Sequence, residues 1–347
     1  MRIGVAGTGF GAFHLEVFQQ IPGVELAAVS SARAERAEAI AERFGVPLAT
    51  TDFATLLDAC DAVVIATPPG LHAEMAIAAA AAGKHIFCEK PMADSVENAK
   101  RMRDAVQAAG VVGMLNYQQR FTSHFGEAQR IVQSGEIGNL VFVEMRVTMN
   151  PVGYMHSTLW SDTKTAWFGD AAQGGGLLAS SVGPHLLDLV TWIGGPLAAV
   201  TARTQVSRSR IQLEDGRSID NITAEDGFAV LGQYANGALL TVRGVPVGHG
   251  GNEWQLELHG ELGSLHVDGS RLLLHTPGSD AAREVPAADP PLNPRIAIAT
   301  TFIEAARAGG PSPSPTFAEA VHAQEALDAA LRAARQQTWE SLDALAG

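Results

Sequence analysis

The sequence predicts an α/β protein: an N-terminal doubly wound parallel sheet, then an α+β domain built on a large open, mostly antiparallel sheet. Three observations predict it. Short continuous apolar runs alternate with longer helical patterns through the first 120 residues. A glycine-rich turn follows the first of those runs directly. Beyond residue 120 the alternation gives way to successive strand patterns with few helices.

The segments 3–6, 26–29, 62–66, 85–88 and 111–115 are short, largely apolar runs. That is the pattern of strands buried on both faces of a parallel sheet. Segments 11–20, 32–44, 71–82 and 95–109 carry helical spacing between them. Gly45, Gly83 and Gly110 follow three of these helices and suit the left-handed residue that ends a helix. A helix over 123–134 then leads into the turn Gly135-Glu136-Ile137-Gly138. Strand patterns follow at 140–149, 199–205, 228–234, 238–245, 253–259 and 264–267, with helices at 184–193, 295–308 and 316–337. This organisation predicts a nucleotide-binding domain over 1–120 and an α+β domain over 121–347, the part that the resemblance described below assigns to substrate and oligomerisation. The Pro-rich stretch 286–294 reads as an exposed loop, and 309–315 as punctuation before the last helix.

Composition narrows the partners. The 347 residues include 37 acidic and 24 basic side chains, a formal charge of −13. That balance argues against nucleic acid and anionic membrane as partners and leaves a small-molecule ligand. Cys60 and Cys88 stand apart from each other, with no Cys/His cluster, so neither a disulfide framework nor a zinc module is expected. A reducing, cytoplasmic compartment is the expectation. The opening residues read as a strand, not a signal peptide, and no apolar run approaches the ~20 residues of a membrane span. His14, His72, His124 and His156 show no metal-ligand spacing, and no metal is predicted.

Gly7-Thr8-Gly9-Phe10-Gly11-Ala12 lies between the first strand and the first helix and fits G-x-G-x-x-A. The first glycine permits the tight turn and the second lets backbone approach a pyrophosphate. The small third residue allows close packing of helix on strand, and the helix N-terminus faces the phosphates. Gly7, Thr8, Gly9, Phe10 and Gly11 are therefore predicted dinucleotide contacts. The second strand ends Val29-Ser30-Ser31-Ala32-Arg33. An NAD site usually carries Asp or Glu at this tip for the ribose 2′-hydroxyl. Here Ser30, Ser31 and Arg33 could bind a 2′-phosphate instead, which favours NADP over NAD. Arg36 reads as part of a solvated helix face.

Three segments go further: Ala66-Thr67-Pro68-Pro69-Gly70-Leu71-His72, Ala82-Gly83-Lys84-His85-Ile86-Phe87-Cys88-Glu89-Lys90-Pro91, and Asn116-Tyr117-Gln118-Gln119-Arg120-Phe121. With Gly174-Gly175-Gly176 and Gly183-Pro184-His185-Leu186-Leu187-Asp188, they resemble the glucose–fructose oxidoreductase/inositol dehydrogenase (Gfo/Idh/MocA) family over nearly the whole chain. The resemblance implies a Rossmann domain, a second domain whose open sheet makes a homodimer or homotetramer, and a nicotinamide-dependent oxidoreductase. It implies that Lys90 contacts nicotinamide ribose and substrate and that His185 is the acid/base. It also implies cofactor-proximal roles for Thr67, Pro68, His72, Glu89, Asn116, Arg120 and Trp167.

Chemistry supports the pair independently. Hydride transfer at an alcohol carbon needs a held ring, a proton acceptor at the oxygen, and a cation or donor for the developing alkoxide. Histidine titrates near neutrality, and a neighbouring Lys⁺ favours its neutral form.

The sequence departs from the family at Ser181. Many catalytic members carry Asp there, four residues before the histidine, and the stretch from the triple glycine to His185 is one residue longer than usual. Asp188, three residues after His185, shares its helix face. Within the aromatic-rich loop 150–173, with His156, Trp160 and Trp167, Tyr154 is the predicted substrate contact. Ser181 and Asp188 complete the predicted substrate set.

The function expected is NADP-preferring hydride transfer between nicotinamide and a hydroxyl or carbonyl of a sugar, cyclitol or related small molecule. Two alternatives stay open: a catalytically degenerate NADP-binding sensor or partner protein, and a reductase of an imine, enoyl or aromatic-diol group.

Overall fold

A computed structural model describes residues 1–149, 169–212, 218–246, 253–268, 271–279, 281–286 and 293–342. The first apolar run forms β1 (Arg2–Ala6), whose last four residues are buried. Five more strands join it: β2 (Glu25–Ser30), β3 (Leu48–Thr50), β4 (Ala62–Ile65), β5 (His85–Cys88) and β6 (Gly113–Leu115). All their pairings are parallel, in the order β3-β2-β1-β4-β5-β6. The helices between them are α1 (Gly11–Phe18), α2 (Ala34–Phe44), α3 (Phe53–Ala59), α4 (His72–Ala81) and α5 (Val96–Ala109). Gly45 and Gly110 end α2 and α5 in the left-handed conformation, at φ 66° and 64°.

The sequence reading has no counterpart for β3 and α3. Three residues are too few to show a period, and α3 is only seven long. Its local signal is Asp52, whose carboxylate accepts the N–H groups of Ala54 and Thr55 as an N-cap.

The chain divides into two compact units, Met1–Phe121 with Leu292–Gln324, and Thr122–Pro291 with Glu325–Gly347. Apolar cores cover both faces of the parallel sheet, as continuous apolar strands require. One core takes in α8 (Pro294–Ala308), whose Phe302 packs edge-on against Phe18 and Phe87. The main-chain N–H of Leu115 donates to the Pro315 carbonyl at 3.0 Å. The return of this late segment to the first unit has no local sequence signal, because its apolar face is like that of any helix.

The second unit holds α6 (Ser123–Gln133), β7 (Leu140–Thr148), α7 (Gly183–Gly194), β8 (Leu197–Gln205), β9 (Arg210–Gln212), β10 (Ser218–Asp220), β11 (Gly227–Tyr234) and β12 (Leu239–Val245). It continues with β13 (Glu253–Gly260), β14 (Gly263–Asp268), β15 (Arg271–His275), β16 (Arg283–Val285), the end of α9 (Phe317–Gln336) and β17 (Glu340–Ser341). Nine strands form one sheet in the order β16-β15-β14-β13-β7-β12-β11-β8-β17, antiparallel except for β7 with β12. Alternation sends Val143, Met145, Val147, Val230, Val242 and Leu256 into the core shared with α6 and α7. The other face carries Glu144, Arg146, Arg243 and Glu257. The strands β9, β10 and β15–β17 go beyond the predicted set; each is five residues or shorter.

Candidate active site

Strand order in the first unit reverses between β1 and β4, the point where doubly wound sheets bind ligands beyond the strand carboxyl ends. The glycine turn sits there. The Gly7 N–H donates to the Ser30 carbonyl at the end of β2, at 2.9 Å. With φ at +102°, Gly7 presses on the end of β4: a Cβ would lie 2.3 Å from the Ala66 carbonyl oxygen. Only glycine fits both constraints.

Gly9 differs, because a Cβ there would meet no protein atom within 4 Å. No packing within the protein requires glycine at this position, whereas the close approach of a pyrophosphate does. No side chain caps the N-terminus of α1, whose first turn closes on the Gly9 and Phe10 carbonyls. The tight helix–strand packing falls on Gly11, where a Cβ would lie 3.0 Å from Val5. The residues of the loop thus fit a dinucleotide.

The β2 tip presents Ser30, buried, then Ser31 and an exposed Arg33. The hydroxyls of Thr8 and Ser31 lie 3.5 Å apart, and the Arg33 N–H donates to the Ser31 hydroxyl. After β4, Thr67 and Pro68 enter a short turn braced by His72. The fully buried His72 ring has Nε2 at 2.8 Å from the Thr67 carbonyl and Nδ1 at 3.1 Å from that of Pro91. Burial lowers its pKa, opposed by those carbonyls and by Glu89. His72 therefore ties the turn after β4 to the turn after β5.

The end of β5 carries Glu89 and Lys90, joined to Pro91 by a cis peptide bond. Glu89 Oε1 lies 2.7 Å from His14 Nε2 and 2.7 Å from Asn116 Nδ2, and Oε2 accepts the Lys90 main-chain N–H at 3.1 Å. Burial pushes the Glu89 carboxyl up, but hydrogen bonding and charge from His14, with Lys90 and Asn116, hold it down at about 2. Burial lowers the Lys90 ammonium, and the Glu89 charge opposes that shift. Arg120, buried, donates to Ser314 at 2.8 Å and pairs with Glu319 at 3.3 Å, a brace to the returning segment. Sequence reasoning named Glu89 and Asn116 but missed His14. Its signal was the buried stripe Gly11, His14, Leu15 and Phe18 at helical spacing.

In the second unit, Leu177–Ser181 form one π-helical turn. The Ser181 N–H reaches back five residues to the Gly176 carbonyl at 3.0 Å. A π turn uses one residue more than an α turn, so it absorbs the added residue and leaves α7 regular. Glu225 seats this turn. Its carboxylate accepts the Ala179 N–H at 2.8 Å, and its carbonyl accepts that of Leu177 at 2.8 Å. Gly176, at φ +140°, is forced by this acid: a Cβ would lie 2.2 Å from the carboxylate oxygens. Burial pushes the Glu225 carboxyl up, opposed by the backbone N–H groups. Sequence reasoning missed Glu225 because nothing local links it to residue 176. Ser180, Ser181, His185 and Asp188 are all buried here, and His185 and Asp188 are three residues apart on α7. Tyr154, His156, Trp160 and Trp167 lie outside the described residues.

Comparison with known proteins bears on both units. A family model described as an oxidoreductase family with an NAD-binding Rossmann fold matches residues 1–117. The GFO/IDH/MocA C-terminal domain matches 125–266. Levoglucosan dehydrogenase of Pseudarthrobacter phenanthrenivorans is 30% identical over 293 residues, 76% of this chain and 73% of that protein. Myo-inositol 2-dehydrogenase of Thermotoga maritima is 35% identical over 141 residues, 40% of this chain and 42% of that protein. A solved levoglucosan dehydrogenase, in complex with NADH and levoglucosan, superposes with a TM-score of 0.84 at 26% identity, covering 99% of both chains. Motifs, fold and relatives agree that this chain belongs to the Gfo/Idh/MocA family of nicotinamide-dependent oxidoreductases.

Proposed function

We propose that the protein is an NADP-preferring dehydrogenase of a sugar, cyclitol or related hydroxy/keto compound. The observation that carries this reading is the convergence at one end of the parallel sheet of three features: the glycine turn with its open Gly9, a β2 tip bearing hydroxyls and Arg33 in place of an acid, and Lys90 after β5. Relatives named for levoglucosan and myo-inositol support the substrate class.

When bound, the nicotinamide supplies or accepts hydride. Gly7–Gly11 and the N-terminus of α1 hold the pyrophosphate, and Ser30, Ser31 and Arg33 hold the 2′-phosphate. Thr67, Pro68 and His72 shape the floor after β4, with Glu89, Asn116 and Arg120 behind it. Lys90 holds positive charge at the reacting oxygen. His185 takes the proton from that oxygen in oxidation and returns it in reduction. Ser181 and Asp188 orient His185 or bind a substrate hydroxyl, and Tyr154 and Trp167 belong to the same substrate and cofactor set. Homodimer or homotetramer formation through the nine-stranded sheet is part of this proposal. The half-exposed Leu231 and Leu239 on its outer strand positions support it; a monomer by light scattering would refute it.

The direct test is a panel of sugars, cyclitols and keto-sugars assayed with NADPH or NADP, and with NADH or NAD. Turnover with at least one polyol and a higher kcat/KM with the phosphorylated cofactor are expected. Arg33→Ala should cut that preference by about 10–100-fold, the range of a lost charge-assisted hydrogen bond. Equal use of NADH, unmoved by Arg33→Ala, removes the phosphate assignment. Cofactor binding with no turnover on any substrate favours the sensor reading that Ser181 keeps open.

A further inference from the structure

His14 is among the buried titratable side chains that the mechanism above leaves unused. His14 sits on the inward face of α1, immediately after the glycine turn, at 7% exposure. Its ring packs edge-on against Phe87 at 5.6 Å and tilts over Phe18 at 6.3 Å. Packing alone would make it an ordinary core residue. Its Nε2, however, lies 2.7 Å from the Glu89 carboxylate, and that carboxylate also holds Asn116 and the Lys90 main chain. One buried acid thus joins three pieces of backbone: the helix that opens the dinucleotide turn, the end of β6, and the residue proposed to meet substrate.

A buried carboxylate is costly without compensating donors and charge. His14 is the partner that α1 sets against Glu89, with Nε2 at 2.7 Å from Oε1. We propose that His14 is a positioning residue: through Glu89 it locks the dinucleotide turn to Lys90 and holds the carboxylate in place beside the Lys90 ammonium. The proposal rests on the reading of Lys90 as the cation at the reacting oxygen.

It has two separable consequences. The mechanical one is that loss of His14 loosens the start of α1, so cofactor binding weakens. The electrostatic one concerns Lys90. The titratable groups around the carboxylate are His14 on α1, Lys90 and Cys88 on the β5 segment, and His72 on α4. His14, Lys90 and Asn116 together hold the Glu89 carboxylate. Without His14, Asn116 and Lys90 are left to face it. The ammonium then holds its proton to higher pH and is drawn toward Glu89, away from substrate.

The test uses the full-length protein, NADPH binding by fluorescence, and kcat and KM across pH with the best substrate of the panel. His14→Leu should weaken NADPH binding about fivefold and lower kcat by about 10–100-fold. It should also move the alkaline limb of kcat up by about one pH unit, because an uncompensated neighbouring anion favours the charged amine. His14→Gln keeps a hydrogen-bond donor of similar reach; it should recover most of the cofactor affinity. It also serves if His14→Leu does not fold. Combining His14→Leu with Glu89→Gln should cost no more than the worse single change, since both act through one contact.

A folded His14 variant with wild-type affinity, kcat and pH limb overturns the proposal. So do independent, multiplying effects of His14→Leu and Glu89→Gln, or a change confined to thermal stability. The reading beneath it fails differently: Lys90→Met would then retain full turnover, while the His14 variants would still report on cofactor affinity.

Discussion

Lys90→Met is expected to lower kcat/KM by about 10²–10⁴-fold, the range of a single charged group that stabilises a developing oxyanion. Methionine keeps the length of the side chain and removes its charge. Because burial already penalises the ammonium, the fold should not suffer, and stability should stay within about 1 kcal/mol of wild type. The pH dependence sharpens the test. The folded Lys90 amine lies below the ordinary lysine range, so its charge is complete at low pH and is lost as pH rises through that lowered value. Activity should therefore fall on the alkaline side earlier than an unperturbed lysine would dictate. Lys90→Arg should abolish that limb, since guanidinium does not titrate in this range, and should retain part of the rate. An alkaline limb that persists in Lys90→Arg would show that another group sets it. Full activity in Lys90→Met would remove Lys90 from the chemistry.

The second large effect is at His185. His185→Ala should lower kcat/KM by about 10²–10⁴-fold, the range of a lost general acid/base, with NADPH affinity within about twofold of wild type. In the oxidation direction the acid limb should disappear, because the base must be neutral to accept the proton and protonation at low pH blocks it. Asp188→Asn should cost less, as expected of a group that orients the ring or a hydroxyl without moving the proton. If His185→Ala leaves the rate and the acid limb untouched, the proton goes elsewhere. If no substrate turns over in wild type either, the sensor alternative gains.

Where the sequence was legible, the reason is local. The turn at Gly7–Ala12 shows its function because backbone conformation and close approach demand particular small residues in consecutive positions. The departure at Ser181 and the extra residue were visible too, but only as an anomaly in length. The fold gives that anomaly a form: a π turn held by Glu225, a residue 44 positions after Ser181 in the chain. Arg120 shows the opposite case. It stands in a motif segment assigned to the cofactor, yet it donates to Ser314 and pairs with Glu319 in the returning segment.

By itself, then, the sequence determined the α/β alternation of the first 120 residues apart from β3 and α3, the glycine turn and the acid-free tip of β2. Each depends on period, on backbone conformation or on residue chemistry at one place in the chain, whereas Lys90 and His185 became candidates through the family resemblance. Tertiary structure alone decided that residues 293–324 rejoin the first unit, that Gly11 packs tightly against Val5, and that His14, Glu89 and Asn116 form one buried cluster. Burial and hydrogen bonding depend on which distant segments meet, and at 75 residues' separation His14 and Glu89 have no local pattern to announce their contact.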